Sequence, residues 1–240
     1  PKRYGLRQTI GDTLGIGGIM RAIRTIPVML QVVKEMEVLC PDALLLNYVN
    51  PMAMLCWAIA DSSKIQAIGL CHSVQHTAAQ LSRDLEISET DLDYVAAGIN
   101  HMSFFLKLEK VEELGNIDLY PQLRERAKGL IPLRKVSKTV ALSDAVRYEV
   151  FRRTGFFVTE SSEHFAEYVP WFIKSGREDL LDEFSIPLDE YPRRCEEQIA
   201  QWDSLREKLE NLDTKFEPRK SKEYGAGIIH SMETGQERTF

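Results

Sequence analysis

Two residues that could bind a metal ion each follow a short apolar run. Cys71 comes directly after the run 64–70, and His101 follows the run 94–99 after one intervening residue. A thiolate and an imidazole together suit zinc, iron or manganese. Two protein ligands would leave coordination positions open for a substrate, which favours a catalytic site. Taken singly, each residue has a simpler interpretation, because an isolated Cys or His is often a buried structural residue.

Other polar side chains stand at the ends of the same kind of run. Asn50 closes the run 43–49, while His72 and Asn100 accompany the two potential metal ligands. In an open parallel sheet, ligands bind outside the carboxyl ends of the strands. If the runs are neighbouring parallel strands, these side chains should therefore meet in one crevice.

The hydrophobic pattern predicts the elements that would position these residues. Helical periodicity and short buried runs alternate along the first half of the chain. The order is helix 28–39, strand 43–49, helix 52–60, strand 64–70, helix 73–85 and strand 94–99, with 103–109 also extended. This alternation is typical of an α/β protein with a parallel sheet.

After residue 110 the pattern changes to shorter helices with charged faces. These are predicted at 119–128, 143–153, 164–174 and 192–212. We therefore place a domain boundary near residue 110, with a mixed α/β domain of the α+β kind after it.

The glycine-rich segment 6–27 is predicted to be a loop. Gly15, Gly17 and Gly18 lack the full spacing of a dinucleotide-binding fingerprint, and no predicted strand precedes them. A flexible loop over an active site is the preferred interpretation.

Composition limits the classes of function. The net charge is -6, and no basic cluster suggests a nucleic-acid partner. No uninterrupted apolar run approaches the roughly 18 residues of a membrane span, and no signal peptide is expected. The four cysteines are too scattered for a disulfide framework, so a reduced, cytoplasmic protein is expected. The absence of an initiating Met and an abrupt end suggest a chain cut at both ends.

Three segments carry a resemblance to a known family. They read Asn-Tyr-Val-Asn-Pro at 47–51, Gly-Leu-Cys-His-Ser-Val at 69–74 and Ala-Gly-Ile-Asn-His-Met at 97–102. In order and spacing they resemble the signature blocks of glycoside hydrolase family 4. Four further segments are similar to that family: 12–15, 21–27, 159–168 and 223–235. The resemblance covers essentially the whole chain and is nearest to the melibiose-type α-galactosidase branch.

The resemblance implies an exception to two-carboxylate glycoside hydrolysis. In such enzymes NAD oxidises the C3 hydroxyl of the sugar, which acidifies the proton on C2. A divalent metal, manganese by family resemblance, would be held by Cys71 and His101 and would stabilise the enolate as a Lewis acid. Elimination at C1, water addition and return of the hydride then complete the turnover.

The same resemblance implies roles for other residues. Asn50 and Asn100 would bind substrate, since an amide can donate to and accept from sugar hydroxyls. Asn47 and Asn50 would face the cofactor. Tyr168 is the expected base, and His72 is either the acid or a sugar contact. The order of base and acid stays open, with Glu163 and His164 as further candidates.

The resemblance also implies a domain arrangement and partners. Residues 1–110 would form the latter part of a Rossmann-like NAD-binding domain, and 111–240 an incomplete C-terminal catalytic domain. The NAD-phosphate loop would lie upstream, so this chain alone is not expected to hold NAD well. A small α-glycoside is the expected partner, within a homodimer or homotetramer and without nucleic acid or membrane.

Other functions stay open at this point. An α-glucosidase or uronidase of the same family is one alternative. A dehydrogenase of the lactate or malate type shares the fold but would not need the Cys and His as metal ligands. A non-catalytic carbohydrate-binding remnant is a third class.

Overall fold

The first half of the chain alternates between helices and strands. The computed structural model describes residues 2–133, 144–211 and 225–236. Its first elements are α1 (Gly15–Leu39), β1 (Leu44–Asn47), α2 (Met52–Ser62), β2 (Gln66–Gly69) and α3 (Ser73–Asp84). β1 and β2 pair in parallel, with Asn47 opposite Gly69. The chain is therefore of the α/β class, as its pattern predicts.

The third predicted parallel strand is instead one arm of a hairpin. β3 (Leu92–Ile99) pairs antiparallel with β4 (Met102–Lys110), in a sheet separate from that of β1 and β2. The prediction of a three-stranded parallel sheet is wrong here, because only Asn100 and His101 connect the two strands. A parallel connection needs a crossover of a dozen or more residues, and a two-residue turn permits only antiparallel pairing.

The predicted loop over 6–27 is helical from Gly15 onward. The glycines serve close packing rather than flexibility: a Cβ on Gly17 would lie 2.0 Å from the Gly11 carbonyl oxygen. A Cβ on Gly18 would lie 2.5 Å from that of Thr13. Only glycine lets the start of α1 pack this tightly against the preceding segment. The segment thus supplies neither a dinucleotide fingerprint nor a mobile loop.

By length and composition alone, α1 could also cross a membrane, contrary to the expectation from the sequence. Its mean hydropathy over the best window is 1.4, and 17% of that window is buried. Arg21 and Arg24 interrupt the apolar run of this segment, so the sequence shows no continuous apolar stretch. The helix as a whole is nevertheless apolar. A helix of a soluble protein can pass the same test.

A second sheet and its helices follow. They comprise β5 (Ile117–Asp118), α4 (Tyr120–Leu133), α5 (Ala145–Thr154), β6 (Phe157–Val158), α6 (Ser162–Tyr168) and α7 (Glu178–Phe184). β6 pairs antiparallel with β4. Phe157 and Val158 belong to two different hydrophobic clusters, as expected for consecutive strand residues that point to opposite faces. Phe105 and Phe165 are fully buried in the first and second cluster, respectively.

By its internal contacts the chain divides into Pro1–Arg193 and Arg194–Phe240. α8 (Glu190–Glu210) begins in the first unit, and α9 (Gly225–Thr234) lies in the second. The predicted helices at 119–128 and 143–153 correspond to α4 and α5, although residue 143 lies outside the described residues. α6 ends six residues before the predicted helix 164–174 does. The domain boundary near residue 110 stays a prediction.

Candidate metal centre

Cys71 and His101 lie side by side although they come from different sheets. The Cys71 Sγ is 3.6 Å from the His101 Nε2. Cys71 stands between β2 and α3, and His101 occupies the turn between β3 and β4 with a φ of 127°. Such a φ is unusual for a non-glycine residue, and strain of this kind often marks functional sites. His101 is 5% exposed, so its ring is fixed in the interior.

Glu160 completes a set of three possible ligands. Its Oε2 lies 3.4 Å from the His101 Nε2, and the ligand atoms of Cys71, His101 and Glu160 all lie within 4.8 Å of one another. Glu160 follows β6 and precedes Ser161, the N-cap of α6. Sequence reasoning placed Glu160 only within a family-like segment. The signal available was its position between a short strand and a helix cap, the same kind of position that Cys71 occupies.

Tyr168 contacts the other ring nitrogen of His101. Its hydroxyl is 3.2 Å from the Nδ1. In the tautomer with a free Nε2 lone pair, the Nδ1–H donates to the Tyr168 oxygen, and the Nε2 faces Cys71 and Glu160. A second hydrogen bond of this kind commonly orients a metal-binding imidazole.

The two central groups favour opposite charges. Burial is the largest influence on the pKa of the Cys71 thiol and raises it, but hydrogen bonds with His101 and Ser73 outweigh burial, so the pKa is lowered. Burial lowers the pKa of His101, but Cys71 and Glu160 raise it overall. Both shifts are toward the charged form of the group, and a bound divalent cation would take the place of the imidazole proton.

The pKa of Tyr168 is raised, chiefly by burial and then by the carboxylates of Glu160 and Glu167. The phenol therefore keeps its proton in this arrangement. A positive charge held by the neighbouring ligands would favour the phenolate.

A loop before α1 closes the site from another side. Glu167 accepts backbone hydrogen bonds from Thr9, Ile10 and Gly11, at 2.9, 3.2 and 2.8 Å. The loop continues to Asp12, whose Oδ1 lies 3.8 Å from the Nε2 of His164. We call residues 9–13 the clamped loop, because one carboxylate holds three successive amides.

His164 lies between the clamped loop and the candidate metal ligands. Its ring is perpendicular to that of His101, with centroids 5.2 Å apart. Its Nδ1 lies 3.0 Å from the Ser161 Oγ and 3.5 Å from the Glu160 Oε1. Burial, the largest influence, lowers the pKa of His164. The ring, whose neutral form is favoured, therefore lies between the carboxylates of Asp12 and Glu160 and exchanges a hydrogen bond with the Ser161 hydroxyl.

The asparagines differ in what their side chains offer. The Asn100 Oδ1 is buried and has no hydrogen-bond partner among the described residues, so it can accept from a ligand. The Asn47 amide bonds to both the N–H and the carbonyl of Val49. The Asn50 Oδ1 accepts a hydrogen bond from the Met52 N–H at 3.3 Å, so the amide N–H₂ is the part of this side chain that could donate to a ligand.

His72 lies just before α3, adjacent in sequence to Cys71. Its ring stacks on Tyr48 at 4.9 Å and on His76 at 5.7 Å between centroids. The stack holds the imidazole at the start of the helix, beside the cysteine. Thus His101 contacts both Cys71 and Tyr168, and His72 follows Cys71 directly in the sequence.

Sulfur, nitrogen and oxygen donors so arranged fit a divalent transition metal. The partly buried thiolate of Cys71 and the buried carboxylate of Glu160 would supply negative charge, and the imidazole a neutral ligand. Three protein ligands leave room for oxygens of a substrate in a six-coordinate ion such as manganese. The arrangement suits Lewis-acid chemistry on a hydroxylated ligand.

Comparison with protein families gives two matches that together cover most of the chain. The model described as Family 4 glycosyl hydrolase matches residues 1–87. The model described as Family 4 glycosyl hydrolase C-terminal domain matches residues 96–240.

Curated relatives show the same similarity. An α-galactosidase of Bacillus subtilis strain 168 is 48% identical over 240 residues, which is 100% of this chain and 53% of that protein. An α-galactosidase of Rhizobium meliloti strain 1021 is 33% identical over 98% of this chain and 48% of its own length. The chain spans about half the length of these relatives.

Solved structures share the fold. The lplD protein of Bacillus subtilis superposes with a TM-score of 0.78 at 23% identity, over 96% of this chain and 55% of that one. A 6-phospho-α-glucosidase from gut microorganisms, solved in complex with NAD and Mn²⁺, gives a TM-score of 0.58 at 19% identity, over 92% of this chain and 50% of that one.

Proposed function

The chain belongs to glycoside hydrolase family 4, and from this membership we propose that the protein containing it is an α-galactosidase dependent on NAD and a divalent metal. Its substrates would be α-galactosides such as melibiose. The observation that carries the proposal is the cluster of the partly buried Cys71 with the buried His101 and Glu160, in a chain 48% identical to an α-galactosidase. A lactate- or malate-type dehydrogenase is not favoured, because it would leave this cluster without a use.

We assign the metal to Cys71 and His101, with Glu160 as a third ligand. The fit rests on donor chemistry: one sulfur, one ring nitrogen and a carboxylate within 4.8 Å. Bound there, Mn²⁺ would act as a Lewis acid on the C2 and C3 oxygens of the sugar. The choice of Mn²⁺ is supported by the 6-phospho-α-glucosidase solved with that ion.

NAD is assigned to the whole protein rather than to this chain alone. When bound, it would take a hydride from C3 and return it within the same turnover. The described residues before β1 supply no glycine-rich strand-to-helix turn for its phosphates. We propose that the turn containing Asn47 and Asn50 faces the cofactor. The local hydrogen bonds of Asn47 indicate that it shapes this turn.

The remaining residues would bind substrate and move protons. Asn100, with its unpartnered buried oxygen, and Asn50 would hold sugar hydroxyls. The Tyr168 oxygen would receive the C2 proton, and the adjacent His101 ring would keep it oriented. His72 would donate a proton to the leaving oxygen or contact the sugar. The two proton-transfer roles fall on residues beside the proposed ligands: Tyr168 contacts His101, and His72 follows Cys71 in the sequence.

We also propose a cellular location and an oligomeric state. All four cysteines are free, which supports a reducing, cytoplasmic environment. A homo-oligomer is proposed from family membership alone.

The test is cleavage of p-nitrophenyl α-galactoside by the whole protein, with NAD⁺ and Mn²⁺ each present or omitted. Activity that requires both, with solvent deuterium incorporated at C2 of the galactose, is the expected result. Cys71→Ser should abolish activity, whereas Cys195→Ser, a matched change in the second unit, should not. Cleavage that needs neither cofactor, or net accumulation of NADH without cleavage, would contradict the proposal.

A further inference from the structure

The guanidinium of Arg147 is buried, and the roles assigned above make no use of it. Arg147 lies on α5 and is 4% exposed. Its Nε donates to the Asp144 Oδ1 at 2.7 Å, and its Nη1 donates to the Thr77 Oγ1 at 2.9 Å. Its Nη2 donates to the Gln80 Oε1, and the Phe157 ring centre lies 5.3 Å from the guanidinium carbon. Because all three nitrogens have partners within the protein, this group holds neighbouring side chains rather than a ligand.

Thr77 connects Arg147 with the residue that precedes Glu160. Its hydroxyl is buried on α3, accepts from Arg147 and donates to the Thr159 carbonyl oxygen at 2.7 Å. Because a cation polarises a hydroxyl that accepts from it, the bond from Thr77 to the carbonyl is strengthened. That carbonyl belongs to the same planar peptide group as the Glu160 N–H. The Thr77 hydroxyl therefore fixes the plane from which the Glu160 side chain departs.

Strand β4 holds Thr159 from another side. The Thr159 N–H donates to the Ser103 carbonyl oxygen at 3.0 Å, and the Oγ atoms of the two residues lie 2.5 Å apart, within hydrogen-bonding distance. Ser103 follows His101 by two residues, and α3 begins two residues after Cys71. Thr159 is thus bonded to both segments that carry the other two proposed ligands.

These bonds bear on how well Glu160 can bind a cation. A glutamate side chain has several rotatable bonds, so a carboxylate that is already aimed at the ion loses less freedom when the ion binds. Groups that orient metal ligands commonly change the affinity for the metal when they are removed. Thr77 and Thr159 orient the backbone of Glu160 in this way, from within the protein interior.

We propose that Thr77 is a positioning residue of the metal centre, which holds the peptide group between Thr159 and Glu160 so that the Glu160 carboxylate faces the ion. The inference rests on the proposed function and deepens it. Arg147 acts on Thr77 and not on the substrate: by donating to the hydroxyl oxygen, it leaves the hydroxyl hydrogen to be directed at the Thr159 carbonyl.

The test is a double-mutant cycle on the whole protein, with the Mn²⁺ dissociation constant measured from the electron paramagnetic resonance of free Mn²⁺. Thr77→Val keeps the shape of the side chain but removes the hydroxyl, and should raise the dissociation constant roughly 10-fold. In a Glu160→Gln background the same change should have less than about a twofold effect, because the ligand that Thr77 positions is already lost. A merely structural role would give equal effects in the two backgrounds.

Two further variants on α3 separate positioning from stability. Thr77→Ser restores a hydroxyl and should bind Mn²⁺ within about twofold of the wild type. Leu81→Ala removes a buried side chain that lies 1% exposed on the same helix. It should lower the melting temperature of the metal-free protein at least as much as Thr77→Val does, yet leave the dissociation constant within about twofold.

Equal effects of Thr77→Val in both backgrounds, no effect in either, or a wild type that binds no Mn²⁺ would overturn the inference. If Thr77→Val does not fold, Ser103→Ala enters the same cycle; it removes the hydroxyl that contacts Thr159 and should raise the dissociation constant roughly threefold, again only when Glu160 is present.

Cleavage of p-nitrophenyl α-galactoside by the wild type separates this inference from the proposed function. If the wild type binds Mn²⁺ with the expected coupling but cleaves no α-galactoside, the role of Thr77 stands and the proposed function fails. If cleavage requires Mn²⁺ and the cycle shows no coupling, the function stands and the role of Thr77 fails.

Discussion

We expect the Glu160 carboxylate to strengthen the binding of a cation at the proposed metal centre. Its carboxylate is buried to 6% exposure, 3.4 Å from the His101 Nε2. Glu160→Gln keeps the shape but removes a negative oxygen ligand, so the Mn²⁺ dissociation constant should rise by roughly 10- to 100-fold. Titration followed by the electron paramagnetic resonance of free Mn²⁺ measures this directly. Glu125→Gln, an exposed change on α4, should bind as the wild type does; equal binding by both variants would exclude Glu160 as a ligand.

Glu149 governs a separate, pH-dependent part of the stability. Hydrogen bonds from Arg152 are the largest influence on the pKa of this carboxyl and lower it. Burial raises the pKa and hydrogen bonds from Arg153 lower it, so the net pKa is below the usual 4.5. Its stabilising effect is present above the unfolded-state pKa and is lost as the pH falls through the lowered folded-state pKa. Glu149→Gln should therefore cost about 0.5–1 kcal/mol at pH 7 and much less near pH 3.

Denaturant unfolding at several pH values checks this prediction. Glu113→Gln, in an exposed loop, serves as the control. A deficit for Glu149→Gln that is constant across the acid range would show that packing, and not charge, accounts for its effect.

At the scale of residues, the sequence predicted that Cys71 and His101 lie together, but it did not identify Glu160 as the third member of the cluster. Cys71 and His101 could be paired because each follows an apolar run, and their rare side-chain chemistry singles them out. Glu160 could not be distinguished by type from the other acidic residues. Its role depends on β6 pairing with β4, and that pairing joins segments more than fifty residues apart.

Among the elements, the clamped loop depends on α6. Glu167, at the end of that helix, accepts amide hydrogens from Thr9, Ile10 and Gly11. Glu167→Gln replaces a charged acceptor by a neutral one, which should lower the free energy of unfolding by about 1–3 kcal/mol. Hydrogen exchange at the amides of residues 9–11 should become faster.

Glu163→Gln, one turn earlier on α6, is the matched control for this prediction. It keeps the backbone carbonyl that accepts from the Thr9 hydroxyl. If both variants exchange alike at residues 9–11, the carboxylate of Glu167 does not hold the loop.

Elements were predicted well where local pattern decides them. β1, α2, β2 and α3 lie within a few residues of their predicted positions, because apolar runs and helical periodicity specify them locally. The start of α1 and the direction of β3 were wrong. Gly17 and Gly18 indicate a loop by type, yet the contact with Gly11 and Thr13 that requires them is tertiary. The alternation of helices and strands predicts a parallel β3, but the two-residue connection to β4 makes it antiparallel.

For the whole molecule, metal binding should contribute to stability. The proposed ligands Cys71, His101 and Glu160 come from three places in the chain that the unfolded state does not bring together. Mn²⁺ at about 100 times its dissociation constant should therefore stabilise the whole protein by about 2.7 kcal/mol. Calorimetry should show a melting temperature that rises with Mn²⁺ and falls on chelation.

Cys71→Ser should remove most of this dependence, while Cys195→Ser should keep it. A melting temperature indifferent to Mn²⁺ in the wild type would mean that the cluster binds the ion weakly or not at all in the native state.

The clamped loop also orders events during synthesis. Thr9 leaves the ribosome before its acceptor Glu167, which follows 158 residues later. At about 5–20 residues per second, the nascent loop waits on the order of 10 s or longer before the helix that fixes it exists. Until then Asp12 has no His164 to face, so the surroundings of the proposed metal centre are incomplete partway through translation. Conditions that slow elongation between these two codons would prolong the interval in which the early segment is open to chaperones and proteases.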